Sequence, residues 1–241
     1  MKGCPLNCWW CHNPESRLFA EESSTRHIKL DSKIYDQPEI TGEWMTPELL
    51  CSKVLSDLIF YDESSGGVTF SGGEPMLQLP FLKESLTLLK ENGVHTTLDT
   101  CGYAPEQDLR EILDVTDLFL YDLKLMDDAE HQNFCGVSNQ LILSNLSLLL
   151  LNKKSVVIRF PVIPEVNNSQ ENVNAMIDFL TQYKDQEIQI DLLPYHTMAK
   201  EKYTRFDAAN KMVGLADLTK EALIPLQEKF QSAGFKVRIG G

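Results

Sequence analysis

At 241 residues and 43% hydrophobic, the chain is long enough for one large domain, in which folding buries roughly 70–75% of the unfolded surface. Its 22 Lys and Arg against 35 Asp and Glu give a formal charge of -13, which repels nucleic-acid phosphates and excludes DNA or RNA as a general ligand. The most apolar run, Leu141 to Leu151, is broken by Ser144, Asn145 and Ser147 and falls far short of the ~20 residues a bilayer crossing needs, so no membrane span is expected.

The chain opens Met1-Lys2-Gly3-Cys4, with neither an apolar signal core nor an Arg-rich amphipathic stretch, which predicts a cytoplasmic protein with reduced thiols. The cysteine loop from Cys4 to Cys11 comes first. Residues 16–45 follow, rich in Glu, Ser, Lys and Asp, without a clear period, and they read as a surface insertion in a single domain over 1–241. Beyond residue 45 a helical stretch at Thr46–Phe60, with Thr46 as N-cap and Pro47 at the first helical position, leads to a strand at Val68–Phe70. The alternation then continues through helix Leu79–Asn92, strand Val94–Asp99, helix Pro105–Val115 and strand Leu118–Asp122. Helix Leu141–Asn152, strand Val156–Pro161, helix Gln170–Lys184, strand Ile188–Leu193, helix Thr219–Ala233 and strand Phe235–Ile239 complete it. Near-continuous apolar strands separated by helices, without a run of hairpins, predict an α/β protein with a parallel sheet and its function at the carboxyl ends of the strands.

Cys4-Pro5-Leu6-Asn7-Cys8-Trp9-Trp10-Cys11 places three thiols within eight residues, and such a loop can wrap one corner-sharing metal assembly because thiolates are the ligands of iron-sulfur clusters. Three local ligands leave one iron of a 4Fe-4S cluster open. A zinc site that recruits His12 is the alternative, although the paired spacing of zinc motifs does not recur along the chain. Gly72-Gly73-Glu74-Pro75 follows the Val68–Phe70 strand, where bare backbone lets a ligand approach closely. Asp99, Asp122 and Lys124 fall at strand ends, the edge where α/β proteins place ligands, and helix capping is the competing role for each Asp. Arg159, inside an apolar strand, is costly to bury unpaired and is expected to face an anion at the mouth of the sheet. His27, His95 and His131 read as structural or exposed, and Cys51, Cys101 and Cys135 as small apolar fillers.

The run Gly3-Cys4-Pro5-Leu6-Asn7-Cys8-Trp9-Trp10-Cys11-His12-Asn13-Pro14-Glu15, together with Phe70-Ser71-Gly72-Gly73-Glu74-Pro75, resembles the glycyl-radical-enzyme activating proteins of the radical S-adenosylmethionine (SAM) superfamily. Leu98-Asp99-Thr100, Tyr121-Asp122-Leu123-Lys124 and Leu192-Leu193-Pro194-Tyr195-His196 carry the same resemblance across nearly the whole chain. It implies a partial (β/α)6-type barrel in which Cys4, Cys8 and Cys11 hold a 4Fe-4S cluster whose open iron receives SAM. It further implies that Gly72, Gly73 and Glu74 meet the methionine amino group and that Lys124, beside Leu123, pairs with the methionine carboxylate. Asp99 would hold the amino group or an associated cation, Asp122 the ribose or that cation, His196 the ribose, and Trp10 and His12 the adenine. The family places a strand before the cysteine loop, and the three residues ahead of Cys4 are too few for one, so the first strand is expected to be missing.

The implied reaction is reductive cleavage of SAM to methionine and a 5′-deoxyadenosyl radical that takes a hydrogen from a glycine of a partner glycyl-radical enzyme. A flavodoxin or ferredoxin donor is implied, docking on a locally basic face of an otherwise acidic monomer. Auxiliary clusters are not expected, because residues 12–50 hold no cysteine. A SAM-dependent enzyme acting on a small molecule and a non-catalytic zinc-binding or truncated module remain the alternatives.

Overall fold

A computed structural model of the chain describes residues 1–31 and 33–240. Six strands, β3 (Gly67–Phe70), β4 (His95–Thr100), β5 (Leu118–Asp122), β6 (Val156–Val162), β7 (Gln189–Pro194) and β8 (Lys236–Ile239), form one parallel sheet in chain order. The sheet does not close on itself, and among the described residues β3 stands at its edge, in keeping with the expected partial barrel. Helices α3 (Leu79–Glu91), α4 (Glu106–Ile112), α6 (Gln140–Leu151), α7 (Gln170–Thr181) and α9 (Ile224–Ser232) cross between strands, and a short helix, α5 (Asp128–Cys135), precedes α6. The core forms where these helices meet the sheet: Leu82, Leu86 and Leu89 of α3, one helical face, are fully buried with Leu98, Phe119, Tyr121, Ile158 and Phe160. Because every strand runs the same way, Phe70, Thr100, Asp122, Val162, Pro194 and Ile239 end on one rim.

Several boundaries differ from the sequence expectation for local reasons. The predicted helix over 46–60 is two, α1 (Pro47–Leu55) and α2 (Leu58–Ser64). Thr46 caps α1 as expected, accepting from the Leu49 N–H at 3.3 Å, but the Ser56 hydroxyl donates to the Lys53 carbonyl at 2.6 Å and the chain breaks at Ser56-Asp57. The helix expected from Thr219 starts as a single 3₁₀ turn and becomes α-helical at Ile224, with Pro225 in its first turn. Helix α5, absent from the sequence reading, carries both of its punctuation marks: Asp127 accepts from the Glu130 N–H at 2.8 Å, and Gly136 closes it at φ 86°.

Residues 16–45 are more ordered than an irregular insertion. They contain an antiparallel hairpin, β1 (Glu22–Leu30) paired with β2 (Lys33–Thr41), whose register runs from Glu22 opposite Thr41 to Leu30 opposite Lys33. Most described residues on both of its faces are exposed, so the sequence lacks the apolar alternation that marks a half-buried strand. Lys2, donating to Glu22 at 2.7 Å, and Arg205, 3.2 Å from Glu39, tie its base to the body. Among the described residues no single helix is long and apolar enough to cross a membrane.

Candidate functional site

The cysteine loop lies across the rim, held by backbone on two sides. The Gly73 N–H donates to the Met1 carbonyl at 2.7 Å and the Glu74 N–H to the Gly3 carbonyl at 2.7 Å, which docks residues 1–3 on the turn after β3. Farther along, the Asn7 N–H donates to the Cys135 carbonyl at 2.8 Å and the Trp9 N–H to the Phe134 carbonyl at 3.1 Å. A short helix missed in the sequence reading, α8 (Lys200–Arg205), covers the end of the loop, with the Tyr203 hydroxyl donating to the Cys11 carbonyl at 2.8 Å. Cys4, Cys8 and Cys11 border a cavity of about 500 Å³, within the usual range for cofactor sites. The neighbouring Cys101 thiol holds the Cys4 thiol down at about 7, whereas burial pushes Cys11 up to about 11. The neighbouring Cys135 thiol and burial push Cys8 up. Cys101 is more than the apolar filler expected of it, since its N–H and thiol both donate to Glu74, while Cys135 and Cys51 do sit buried among apolar neighbours, the Cys51 thiol 3.7 Å from the Ser85 carbonyl.

The glycine turn is dictated by crowding. A Cβ at Gly73 would lie 2.1 Å from the Gly3 carbonyl oxygen, and one at Gly72, where φ is +124°, would lie 2.2 Å from Met1. Glu74 points inward and is fully buried. It accepts from the Cys101 N–H at 2.8 Å, from the Thr100 hydroxyl at 2.8 Å, from the Met76 N–H at 3.1 Å and from the Cys101 thiol at 2.9 Å. Burial nevertheless raises its carboxyl above the ordinary range. Glu74 thus ties the glycine turn to the end of β4 and does not line the cavity. Leu123 does not line it either: its side chain is in the main core, and its N–H donates to the Arg159 carbonyl at 3.0 Å.

The other residues predicted for the site all line the cavity: Trp10, His12, Gly72, Gly73, Asp99, Asp122, Lys124, Arg159 and His196 join the three cysteines. The register sets Asp122 of β5 opposite Arg159 of β6, and the Arg159 Nε donates to Asp122 at 2.9 Å while its other arm bonds Asp99. The anions Arg159 meets are the chain's own. Lys124 donates to the second oxygen of Asp122 at 3.0 Å, and the Ser71 hydroxyl donates to Asp99 at 2.7 Å. Burial pushes the Asp122 carboxyl up, but Lys124 and Arg159 outweigh it and hold it below the ordinary range. Asp99 is raised, by burial and by the Asp122 charge. On Lys124 burial acts downward, yet Asp122 and the surrounding thiols keep the ammonium protonated far above neutral pH.

At the opposite wall the rings of His12 and His196 lie 4.2 Å apart at 34°. His12 Nε2 and His196 Nδ1 are buried without a hydrogen-bond partner among the described residues. His131 is the structural histidine expected, buried with Nδ1 2.7 Å from the Val137 carbonyl, and His95 is exposed; the side chain of His27 lies outside the described part of the structure. Ser71, Cys101 and Tyr203 touch the site or its loop and were not singled out from sequence. Ser71 and Cys101 directly follow β3 and β4, which was the available signal, whereas nothing local marks Tyr203.

Three thiols in one loop, a backbone-lined glycine turn and a charged network on adjacent strand ends share one cavity, and residues 1–180 match the model of the radical SAM superfamily. The chain belongs to that superfamily. Within it this radical SAM chain falls among the glycyl-radical-enzyme activating proteins. It is 35% identical over 279 residues to the trans-4-hydroxy-L-proline dehydratase activating enzyme of Clostridioides difficile, covering 100% of this chain and 92% of that one. It is 33% identical over 220 residues to the pyruvate formate-lyase-activating enzyme of Clostridium pasteurianum, covering 91% and 83%. The crystal structure of a domain of pyruvate-formate lyase-activating enzyme from Bacteroides vulgatus superposes with a TM-score of 0.62 at 32% identity, over 73% of this chain and 99% of that one. The protein is thus a radical SAM enzyme of the activating type, a family that implies an iron-sulfur cluster and SAM.

The residues present fit both groups. Soft thiolates stand at one side of the cavity, and among the described residues no three His, Cys, Asp or Glu side chains converge closely enough for a single ion, which suits a multi-iron assembly better than zinc. The unpartnered His12 and His196 nitrogens supply the polar contacts that a nucleoside needs.

Proposed function

We propose that this radical SAM activating enzyme installs a radical on a glycine of a partner glycyl-radical enzyme, using SAM and a 4Fe-4S cluster. The observation that carries the reading is the meeting of the three loop thiols with the Asp99, Arg159, Asp122 and Lys124 network in one cavity. When bound and given one electron, the cluster and SAM supply cleavage of the sulfonium and removal of a hydrogen atom from a glycine α-carbon. Cys4, Cys8 and Cys11 would hold three irons and leave the fourth open. An ammonium has three N–H donors, and Lys124 gives one to Asp122, so two remain for the methionine carboxylate. Asp99, with Gly72 and Gly73 beside it, would accept from the methionine amino group. Trp10, His12 and His196 would flank the nucleoside, and Tyr203 keeps the loop closed above them. Preorganised charge of this kind acts by positioning. The whole chain would act as one domain with residues 16–45 as its insertion, served by a one-electron donor of the flavodoxin or ferredoxin class.

The test is anaerobic reconstitution with iron and sulfide, reduction, and addition of SAM with a candidate partner enzyme. The expected results are 5′-deoxyadenosine by chromatography and a glycine-centred radical by electron paramagnetic resonance. A bound iron-sulfur cluster that releases no 5′-deoxyadenosine under these conditions overturns the reading, and 5′-deoxyadenosine formed only with a small metabolite transfers it to that substrate class.

A further inference from the structure

Two cysteines outside the loop stand against two inside it. The two backbone hydrogen bonds that join residues 7–9 to 134–135 bracket Cys8 and Cys135 and bring them together in one packed cluster. Glu74 does the same for the second pair. Its backbone N–H holds the Gly3 carbonyl while its carboxylate holds both the N–H and the thiol of Cys101, so Cys4 and Cys101 are held around a single residue and pack in the same cluster. Cys4, Cys8 and Cys101 border the cavity, whereas Cys135 is wholly buried. Each pair thus holds at least one thiol that a solute can reach, and the loop is pinned at both.

We propose that Cys4–Cys101 and Cys8–Cys135 are disulfide-forming pairs of the cluster-free protein, which close under oxidation and reopen under thiol reduction, so that cluster loading and disulfide formation exclude each other. The inference rests on Cys4 and Cys8 being cluster ligands. The chemistry is ordinary exchange with a small disulfide. A cavity-side thiolate of the pair attacks the disulfide, forms a mixed disulfide and releases one small thiol; the other thiolate of the pair then attacks the mixed disulfide and releases the second. Each pair loses two electrons, which reduce one small disulfide to two thiols, and the two cysteine protons end on those thiols. Nothing else is consumed. A cluster engages the Cys4 and Cys8 sulfurs and denies both steps, and a closed pair denies the cluster two of its three ligands.

The test uses the full chain, cluster-free, incubated anaerobically with hydroxyethyl disulfide, a reagent small enough for the cavity. The unreacted thiols are then alkylated and the digest is mapped by mass spectrometry without reduction. The expected result is linkage of Cys4 to Cys101 and of Cys8 to Cys135, with loss of iron and sulfide uptake until a dithiol is added. Protein loaded with the cluster beforehand shows neither linkage. Linkage within the loop, Cys8 to Cys11 or Cys4 to Cys8, overturns the proposal, as does recovery of Cys101 and Cys135 alkylated after Cys4 and Cys8 have reacted. Cys101→Ala and Cys135→Ala, tested separately, each remove one linkage and leave the other. Because the map needs neither SAM nor a partner, its failure leaves the radical reading standing.

Discussion

Lys124 and Asp122 lie mostly out of water, so breaking their pair leaves a charge that the protein must still accommodate. Lys124→Met therefore costs about 3 kcal/mol of stability, toward the low end for a broken buried pair because Arg159 still faces Asp122. Adding Asp122→Asn returns part of that loss, a coupling that a denaturant-unfolding cycle on the two single variants and the double variant measures directly. Additive costs would show that the pair is not coupled. At Gly73 the limit is steric: Gly73→Ala drives a methyl into the Gly3 carbonyl, so the loop must move one residue from Cys4. The expected outcome is a fold with unchanged far-ultraviolet circular dichroism and reduced iron uptake on reconstitution. Much of this site was legible in sequence, because charges at strand ends and glycines after a strand have few packing explanations. The inward aim of Glu74 was not legible, since a buried carboxylate with four kinds of donor depends on Thr100 and Cys101, a strand away. The pairing of Cys135 with Cys8, distant in sequence, was hidden for the same reason.

The strands read correctly because a buried parallel sheet leaves short, nearly continuous apolar runs rich in β-branched and aromatic residues, bounded by turn residues and alternating with longer helical stretches. Element ends were less legible. Ser56-Asp57 splits a helix that apolar spacing alone would continue, and α5 is polar enough to be passed over despite Asp127 and Gly136 at its ends. One connection carries a pH signature. Asp117, just before β5, accepts from the Thr96 N–H at 2.8 Å and the Thr96 hydroxyl at 3.0 Å, and pairs with Lys90 at 3.2 Å. Burial works against its carboxylate, but these hydrogen bonds outweigh burial and hold the group below its ordinary value of 3.8. A depressed acid stabilises the fold above its unfolded value and loses that contribution as pH falls through its folded one. Asp117→Ala is thus expected to cost about 1–2 kcal/mol at neutral pH, for hydrogen bonds joining β4 to the start of β5. Thermal melts of both proteins should converge as pH drops below 3.8, and a gap that stays constant into acid would show that the side chain acts by packing.

The charge of the whole molecule bears on how it receives an electron. A net -13 repels an acidic donor at long range, yet the surface around the cysteine loop is not uniformly acidic. Lys211 lies over the Trp9 ring at 4.8 Å, Arg17 borders the cavity, and Lys202 and Arg205 of α8 stand beside them, partly offset by Glu15 and Glu39. Screening decides which field a donor feels. At 0.1 M salt the Debye length is about 10 Å, so charges at the contact count and those across the molecule do not, whereas at 0.01 M it is about 30 Å and the whole acidic surface is felt. For an acidic flavodoxin-type donor docking over the loop, the rate of cluster reduction should therefore fall as salt rises above about 0.1 M, and flatten below it as distant repulsion offsets local attraction. Lys211→Glu should slow the reaction and weaken its salt dependence without changing the iron content. Stopped-flow reduction across a salt series reads both effects. A rate that climbs steadily with salt would mean that the overall charge governs the encounter and that electrons enter through a different face.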